Sequence, residues 1–88
     1  MAPFDASARY QLDPDVALRP EPFGALAYHY GSRRLTFLRS RRLAELVRDL
    51  GNHESVDAAL EAGVPTDEQP NYRKALQALA ESRFIRAC

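Results

Sequence analysis

Residues 23–38 constrain the fold of this chain more than any other segment. Apolar and aromatic side chains recur at every second position over residues 23–30, which is the period of an extended strand. Residues 31–33 contain a glycine and suit a hairpin connection, and residues 34–38 are again rich in β-prone side chains. We therefore predict an antiparallel hairpin in which residues 34–38 return along residues 23–30.

A third strand is predicted upstream, over residues 16–19, where Val16 and Leu18 share one face. Pro20 and Pro22 follow it. Because proline cannot donate a hydrogen bond to a neighbouring strand, this segment is predicted to end before Pro20 and to form a protected edge of the sheet. The longest strand then lies in the middle of a three-stranded meander.

The opposite edge of the sheet, residues 34–38, carries none of the features that block strand addition. It contains no proline and no glycine, and no inward-pointing charge is expected. Leu35 and Phe37 share a face, which we expect to be core. Any binding property is therefore predicted to belong to the backbone of this strand and not to those two side chains.

Three short helices are predicted after the sheet. Ser40 is a suitable N-cap for a helix that ends at Gly51, and Ser55 caps a second helix that runs through Ala62. The third helix is predicted over residues 70–82, with proline as its first residue. The fold class is therefore α+β and winged-helix-like, with a three-stranded antiparallel sheet followed by three short helices.

The two ends of the chain are predicted to lie outside this arrangement. Residues 1–9 are small and polar without a period, so they form a flexible N-terminal tail that residues 10–12 pin to the body. Phe84 and Ile85 are predicted to be a short apolar anchor.

Composition narrows the class of protein. The 88 residues have no formal net charge, which disfavours nucleic-acid binding, although five arginines fall between Arg33 and Arg42 without an acid. The single cysteine, Cys88, excludes an internal disulfide. No signal peptide is recognised, and the longest apolar run is far too short to cross a membrane. We therefore predict a cytoplasmic protein with no membrane partner.

Catalytic and metal-binding patterns are not found in the sequence. His29 and His53 are the only histidines, one in a predicted strand and the other in a loop, and both are interpreted as packed or solvated side chains. The glycines are isolated, so no phosphate-binding loop is formed. We predict that the protein is not an enzyme and holds no metal or cofactor.

Arg41 and Arg42 lie in the first turn of the first predicted helix, where the helix dipole favours acidic residues. Two explanations of these arginines remain open. Arg41 forms an ion pair with Glu45 one turn later, or an acidic ligand docks beside Ser40.

The central part of the sequence resembles a known family. Residues 16–31 read VALRPEPFGALAYHYG, and residues 33–38 read RRLTFL. This run is similar to the MftB family of peptide chaperones of the mycofactocin system, which belong to the PqqD-like recognition elements for ribosomally made, modified peptides. The similarity extends over about residues 10–85, so residues 10–88 are interpreted as a PqqD-like peptide-recognition domain.

The resemblance implies a non-catalytic adaptor. Such proteins bind the leader of a precursor peptide and present its core to a radical S-adenosylmethionine maturase, which in this system decarboxylates a terminal tyrosine and crosslinks it to a valine. In related recognition elements the leader adds as an antiparallel strand beside the third strand, with the third helix as the other wall. The predicted peptide-binding residues are Arg34, Leu35, Thr36, Phe37, Leu38, Arg39, Arg41, Arg42, Arg73, Leu76, Gln77 and Ala80.

Two other functions compete with peptide delivery. A winged-helix protein would bind DNA through Arg73 and Lys74 on the third helix, but the zero net charge disfavours it. A small dimerisation domain would use the same open strand edge to pair with a second copy.

Overall fold

The computed structural model describes residues 4–88, in which a sheet precedes three helices and the chain returns at its end to its own beginning. The strands and helices, with two short 3₁₀ turns, are β1 (Tyr10–Leu12), β2 (Val16–Glu21), β3 (Gly24–His29), β4 (Arg34–Leu38), α1 (Arg41–Asp49), a turn (Leu50–Asn52), α2 (Val56–Gly63), a turn (Thr66–Glu68), α3 (Gln69–Glu81) and β5 (Ile85–Ala87). None of the helices within residues 4–88 combines the length and the apolar character needed to cross a lipid bilayer.

Strands β2, β3 and β4 form the predicted antiparallel meander, with β3 in the centre. The register joins Leu26 to Phe37 and Tyr28 to Leu35 across β3 and β4. The α+β class, with a three-stranded antiparallel sheet followed by three helices, is therefore confirmed.

Strand β2 is longer than predicted. It continues through Pro20 to Glu21, and Pro20 pairs with Ala25 of β3. The prediction that the strand ends before Pro20 is wrong, because β2 is an outer strand and its proline sits where no N–H is needed for the ladder.

A second sheet joins the two ends of the described chain. Strands β1 and β5 pair antiparallel, with Tyr10 opposite Ala87 and Leu12 opposite Ile85. We predicted no strand in either segment. Each has three residues, too few to show a period of two, and the pairing joins distant parts of the chain.

The inner face of the meander consists of small side chains. Ala25, Ala27 and His29 of β3 are buried, as is Leu38 at the end of β4. Small residues allow α1 to pack close to β3. The core continues toward the helices. Its largest fully buried side chains are Leu38, Leu50, Leu60, Leu76, Ile85, Val47 and Val56.

Leu35 and Phe37 lie on the opposite face and are 58% and 57% exposed, so the prediction that they are core is wrong. Side chains of a strand alternate between faces, and Leu38 occupies the core side instead. Both faces of this segment contain apolar residues, so the period alone did not distinguish them.

The predicted helix starts are confirmed at Ser40 and Ser55. The Leu43 N–H donates to Ser40 Oγ at 3.1 Å, and the Ala58 N–H donates to Ser55 Oγ at 3.0 Å. The third helix begins at Gln69, so that Pro70 is its second residue instead of its first. Proline removes no helical hydrogen bond at either position, since the first-turn N–H groups of a helix lack intrahelical partners.

Residues 4–9 belong to the segment predicted to be a flexible tail, of which residues 1–3 lie outside the described chain. The carbonyls of Ala6 and Ala8 accept hydrogen bonds from the Asp57 and Val56 N–H groups, at 3.0 and 3.1 Å. These two donors lie in the first turn of α2, where the helix supplies no acceptor. The described part of the segment therefore lies against the start of α2.

Candidate functional site

Strand β4 is an outer strand of the meander, and no other strand in residues 4–88 pairs with its free side. Each of its five residues pairs with one residue of β3, from His29 opposite Arg34 to Ala25 opposite Leu38. The strand therefore has no bulge, and it contains no proline. A regular edge of this kind is able to accept a further strand.

The backbone groups that face the free edge belong to Leu35 and Phe37. The hairpin between β2 and β3 closes on a directly hydrogen-bonded pair, Glu21 and Gly24, because only two residues separate them. Hydrogen-bonded and non-hydrogen-bonded pairs alternate along antiparallel strands, and backbone groups alternate between the two neighbours of a central strand. In this register, the N–H and C=O of Thr36 point toward β3. Leu35 and Phe37, one position away on either side, each offer one N–H and one C=O to an added strand.

The side chains of β4 divide between the two faces. Leu38 is buried and Thr36 is half-buried on the inner side, where they face the helices. Leu35 and Phe37 project outward, and Arg34 is exposed at the start of the strand. The side chains of an added strand would therefore lie beside Thr36 on the inner face of the sheet, and beside Leu35 and Phe37 on the outer face.

Arginines without an acidic partner lie at both ends of β4. Within residues 4–88, no ion pair is formed by Arg33, Arg34, Arg39 or Arg41, and all four are exposed. Arg41 does not form an ion pair with Glu45, which was one of the two explanations for an arginine in the first turn of α1. An acidic ligand stays the open explanation for Arg41.

Arg42 has an acidic partner within the chain. Its Nη1 lies 3.1 Å from Glu68 Oε2, on the turn that precedes α3. Both side chains are close to half exposed, so the pair contributes little to stability. Among the predicted arginines beside β4, Arg42 is therefore the one that forms an ion pair within residues 4–88.

Helix α3 contacts the inner side of the sheet near both of its ends. Near its start, the Tyr72 hydroxyl is hydrogen-bonded to Ser40 Oγ at 3.1 Å, two residues beyond the end of β4. Just after its end, the Phe84 ring packs edge-on against His29, with 5.7 Å between the ring centroids. These two contacts place the start of α3 at the corner that follows β4, and the segment after α3 against the central strand β3.

The four residues of α3 in the predicted site do not gather beside β4. Arg73 Nη2 is 2.9 Å from Asp57 Oδ1 of α2, and Leu76 is completely buried in the core. Gln77 and Ala80 line a cleft of about 510 Å³ whose other walls include Tyr10 of β1 and residues of β5. Arg73, Gln77 and Ala80 therefore occupy the side of α3 that faces α2 and the small sheet.

Tyr72 marks the side of α3 that contacts the corner between β4 and α1, through its hydrogen bond to Ser40. Successive helical residues are about 100° apart, so Ala75 lies about 60° from Tyr72 in the direction opposite to Arg73. Both Tyr72 and Ala75 are half-buried. Sequence reasoning missed this side, because the apolar stripe of α3 gave its buried face but not which flank meets the sheet.

His29 is a packed structural side chain, and no cluster of candidate metal ligands is found in the part of the chain that the structure describes. His29 Nδ1 accepts a hydrogen bond from the Ser32 N–H at 3.2 Å, and its ring is buried against Phe84. Residues 4–88 contain no group of three or more histidine, cysteine, aspartate or glutamate side chains placed to hold a metal ion. A small α+β domain with a regular open edge is suited to binding an extended chain.

The chain belongs to the Peptide chaperone MftB family, whose model matches residues 9–86. It is 45% identical to "Peptide chaperone MftB" of Mycolicibacterium smegmatis over 83 aligned residues. The alignment covers 93% of this chain and 81% of that protein. Proteins of the same name in Mycobacterium ulcerans and Mycobacterium tuberculosis are 45% and 42% identical, each over 93% of this chain and 76% of the relative. No solved structure matches the chain.

The family resemblance carried by residues 16–31 and 33–38 is thus confirmed. Since the family is one of non-catalytic peptide chaperones, the prediction that the protein is not an enzyme is confirmed as well.

Proposed function

We propose that this protein binds the leader of a ribosomally made precursor peptide as a fourth, antiparallel strand beside β4. It then delivers the peptide to a radical S-adenosylmethionine maturase in cytoplasmic mycofactocin biosynthesis. The observation that carries this proposal is the regular, unprotected edge of β4, where Leu35 and Phe37 present their backbone groups. Membership in a peptide chaperone family supports it.

Backbone pairing supplies only part of the affinity. Each main-chain hydrogen bond contributes a net of about 0.5–1.5 kcal/mol. The cost of association is estimated at about 4–15 kcal/mol, so four such bonds do not suffice for tight binding. Side-chain contacts must therefore contribute. On the inner side they involve Thr36 of β4 with Tyr72 and Ala75 of α3, which flank the space beside the strand.

Charge sets the position of the leader along the edge. Arg39 and Arg41 are exposed at the end of β4, and Arg33 and Arg34 are exposed at its start. These side chains attract acidic residues of the leader, and such attraction weakens as salt is added. Because the leader runs antiparallel to β4, its N-terminal part lies near Arg39 and its C-terminal part leaves near Arg34. The core peptide therefore emerges beside the β3–β4 turn.

The decisive experiment measures the affinity of a synthetic leader peptide by isothermal titration calorimetry for Leu35→Pro and Leu35→Ala. Proline at position 35 removes one N–H from the open edge, whereas alanine removes the same side chain and keeps that donor. We expect Leu35→Pro to bind at least tenfold more weakly than Leu35→Ala. Equal affinities of the two folded variants would contradict strand addition at β4.

The two alternative functions gain less support. For DNA binding, Arg73 is engaged with Asp57, and only Lys74 of the two predicted contacts is free of an ion pair within residues 4–88. Dimerisation through β4 uses the same edge as the leader. Sedimentation of the protein with and without leader peptide would detect it as a dimer that the peptide dissociates.

A further inference from the structure

The large apolar side chains that are exposed in residues 4–88 all lie on one surface. They are Phe23, Tyr30, Leu35 and Phe37, with exposures of 44%, 63%, 58% and 57%. The strand register adds the half-buried Leu26 and Tyr28, which lie opposite Phe37 and Leu35. We call these six residues the outward sheet face. It is the side of the meander turned away from the helices.

The aromatic rings of this face are held in place by one another. Phe23 packs edge-on against Phe37 with 5.7 Å between ring centroids, and Tyr28 packs edge-on against Tyr30 at 4.9 Å. Contiguous exposed apolar patches on soluble proteins mark interaction surfaces, and a few anchor residues, among which tyrosine is enriched, dominate the binding free energy at interfaces. The outward sheet face has both properties.

The positive charge beside the outward sheet face indicates what kind of partner would bind there. Arg33 and Arg39 are exposed immediately before and after β4, and neither forms an ion pair within the described chain. A second copy stacked about a two-fold axis would bring this basic rim against itself, which is unfavourable. The complementary surface has an apolar centre with carboxylates around it, and therefore belongs to a different protein.

We propose that the outward sheet face docks such a partner, and that the partner is the maturase named under the proposed function, on which this inference rests. The added leader would be continuous with the face, since every second leader side chain would project to the same side as Leu35 and Phe37. The core peptide would leave beside Tyr30 and the β3–β4 turn. A partner on the outward sheet face thus lies next to the peptide it modifies.

The size of the face implies that the partner contacts the leader as well. With strands about 4.8 Å apart and about 3.3 Å per residue, three strands of this length cover roughly 250–300 Å². A standard interface covers about 800 Å² on each partner. A bound leader widens the face by one strand, so the loaded chaperone binds the maturase more tightly than the empty one.

The test compares wild-type protein with Phe23→Ser/Tyr30→Ser, with Tyr30→Ser alone, and with Ala78→Ser as a control on the exposed side of α3. Both altered positions lie in the turns at the two ends of β3, outside β4 and outside the backbone edge proposed to take the leader. Calorimetry measures the affinity of each variant for the leader peptide, and then the affinity of the loaded and empty forms for purified maturase. Circular dichroism and thermal unfolding verify the fold.

We expect the double variant to bind maturase at least tenfold more weakly, Tyr30→Ser to be intermediate, and Ala78→Ser to match wild type. Leader affinity stays within twofold in all of them. Unchanged maturase affinity in the double variant overturns the inference, and so does a loss of leader binding without a loss of maturase binding. A wild-type dimer that the double variant dissociates, with maturase binding intact, would show a second copy on this face. Failure of wild-type protein to bind either leader or maturase would instead contradict the proposed function.

Discussion

Gly24 lies directly against the carbonyl group of Leu38, and a side chain at position 24 would overlap it. A Cβ there would also come within 2.9 Å of the backbone N and O of Ser40. The φ angle of Gly24 is 152°, a conformation that other residues rarely adopt. The β2–β3 turn therefore rests on the corner where β4 ends and α1 begins, and this corner is one end of the candidate site.

Gly24→Ala should destabilise the protein by at least about 2 kcal/mol, because backbone atoms and not flexible side chains must move. Urea unfolding followed by circular dichroism measures the change. Gly63→Ala is the matched control, since nothing lies within 4 Å of a Cβ at that position and its φ is not positive. A Gly24→Ala variant as stable as Gly63→Ala would show that the corner is not this close.

Proline substitutions on β4 should separate the two edges of the strand. Thr36→Pro removes an N–H that is directed to β3, so we expect disruption of the meander and a loss of at least about 1–3 kcal/mol. Leu35→Pro removes an N–H that faces the open edge, so its stability should fall much less. Thermal unfolding monitored by circular dichroism gives the order. The reverse order would contradict the assignment of the backbone directions.

Removing the uncompensated arginines should weaken leader binding through charge. Arg39→Ala/Arg41→Ala is expected to lower the affinity for an acidic leader by about three- to tenfold at low salt, since each exposed charge contributes about 0.2–1 kcal/mol. The difference from wild type should shrink as sodium chloride is raised. Arg48→Ala, on α1 and without an ion pair in residues 4–88, serves as the control. Equal affinities at every salt concentration would remove charge from the binding model.

Substitutions on α3 should identify the side that lines the peptide groove. Ala75→Gln places a longer side chain on the flank next to β4, and we expect leader affinity to fall severalfold while the fold is retained. Gln77→Ala faces the cleft beside β1 and β5 and should leave leader affinity unchanged. Titration calorimetry distinguishes them. Weaker binding by Gln77→Ala with normal binding by Ala75→Gln would restore the groove predicted from the sequence.

Arg83→Gly should stabilise the protein. Arg83 follows α3 and has a φ of 67°. Its N–H donates a hydrogen bond to the Ala80 carbonyl, and the Phe84 N–H donates one to the Leu79 carbonyl. This pattern of helix termination favours glycine at the left-handed residue, so the free energy of unfolding is expected to rise by up to about 1 kcal/mol. Chemical denaturation measures it. Arg86→Gly, on a strand with an ordinary φ, should not be stabilising.

Local chemistry allowed much of the fold to be predicted. The serine N-caps at Ser40 and Ser55 were found because a hydroxyl that accepts a first-turn N–H stabilises a helix start wherever it occurs. The meander followed from a period of two and a glycine-containing turn. The β1–β5 sheet was not found, because three-residue strands at opposite ends of a chain carry no local signal.

Of the candidate site, the sequence predicted the open backbone edge but not the side chains that lie beside it. The open edge follows from residues 34–38 themselves, which lack proline and glycine. The side chains of α3 were not predictable, because their position depends on how the helix is rotated against the sheet. That rotation is fixed by contacts such as Tyr72 with Ser40, which join residues far apart in the sequence.

The sequence by itself thus determined the order of the three meander strands and the three helices, the family, and a strand whose edge is open. Tertiary structure decided which face of that strand is buried. Leu35 and Phe37 are apolar enough for a core, but α1 packs on the side where Ala25 and Ala27 leave room for it. Close packing selects the face with the smaller side chains, so the larger ones stay exposed on the outward sheet face.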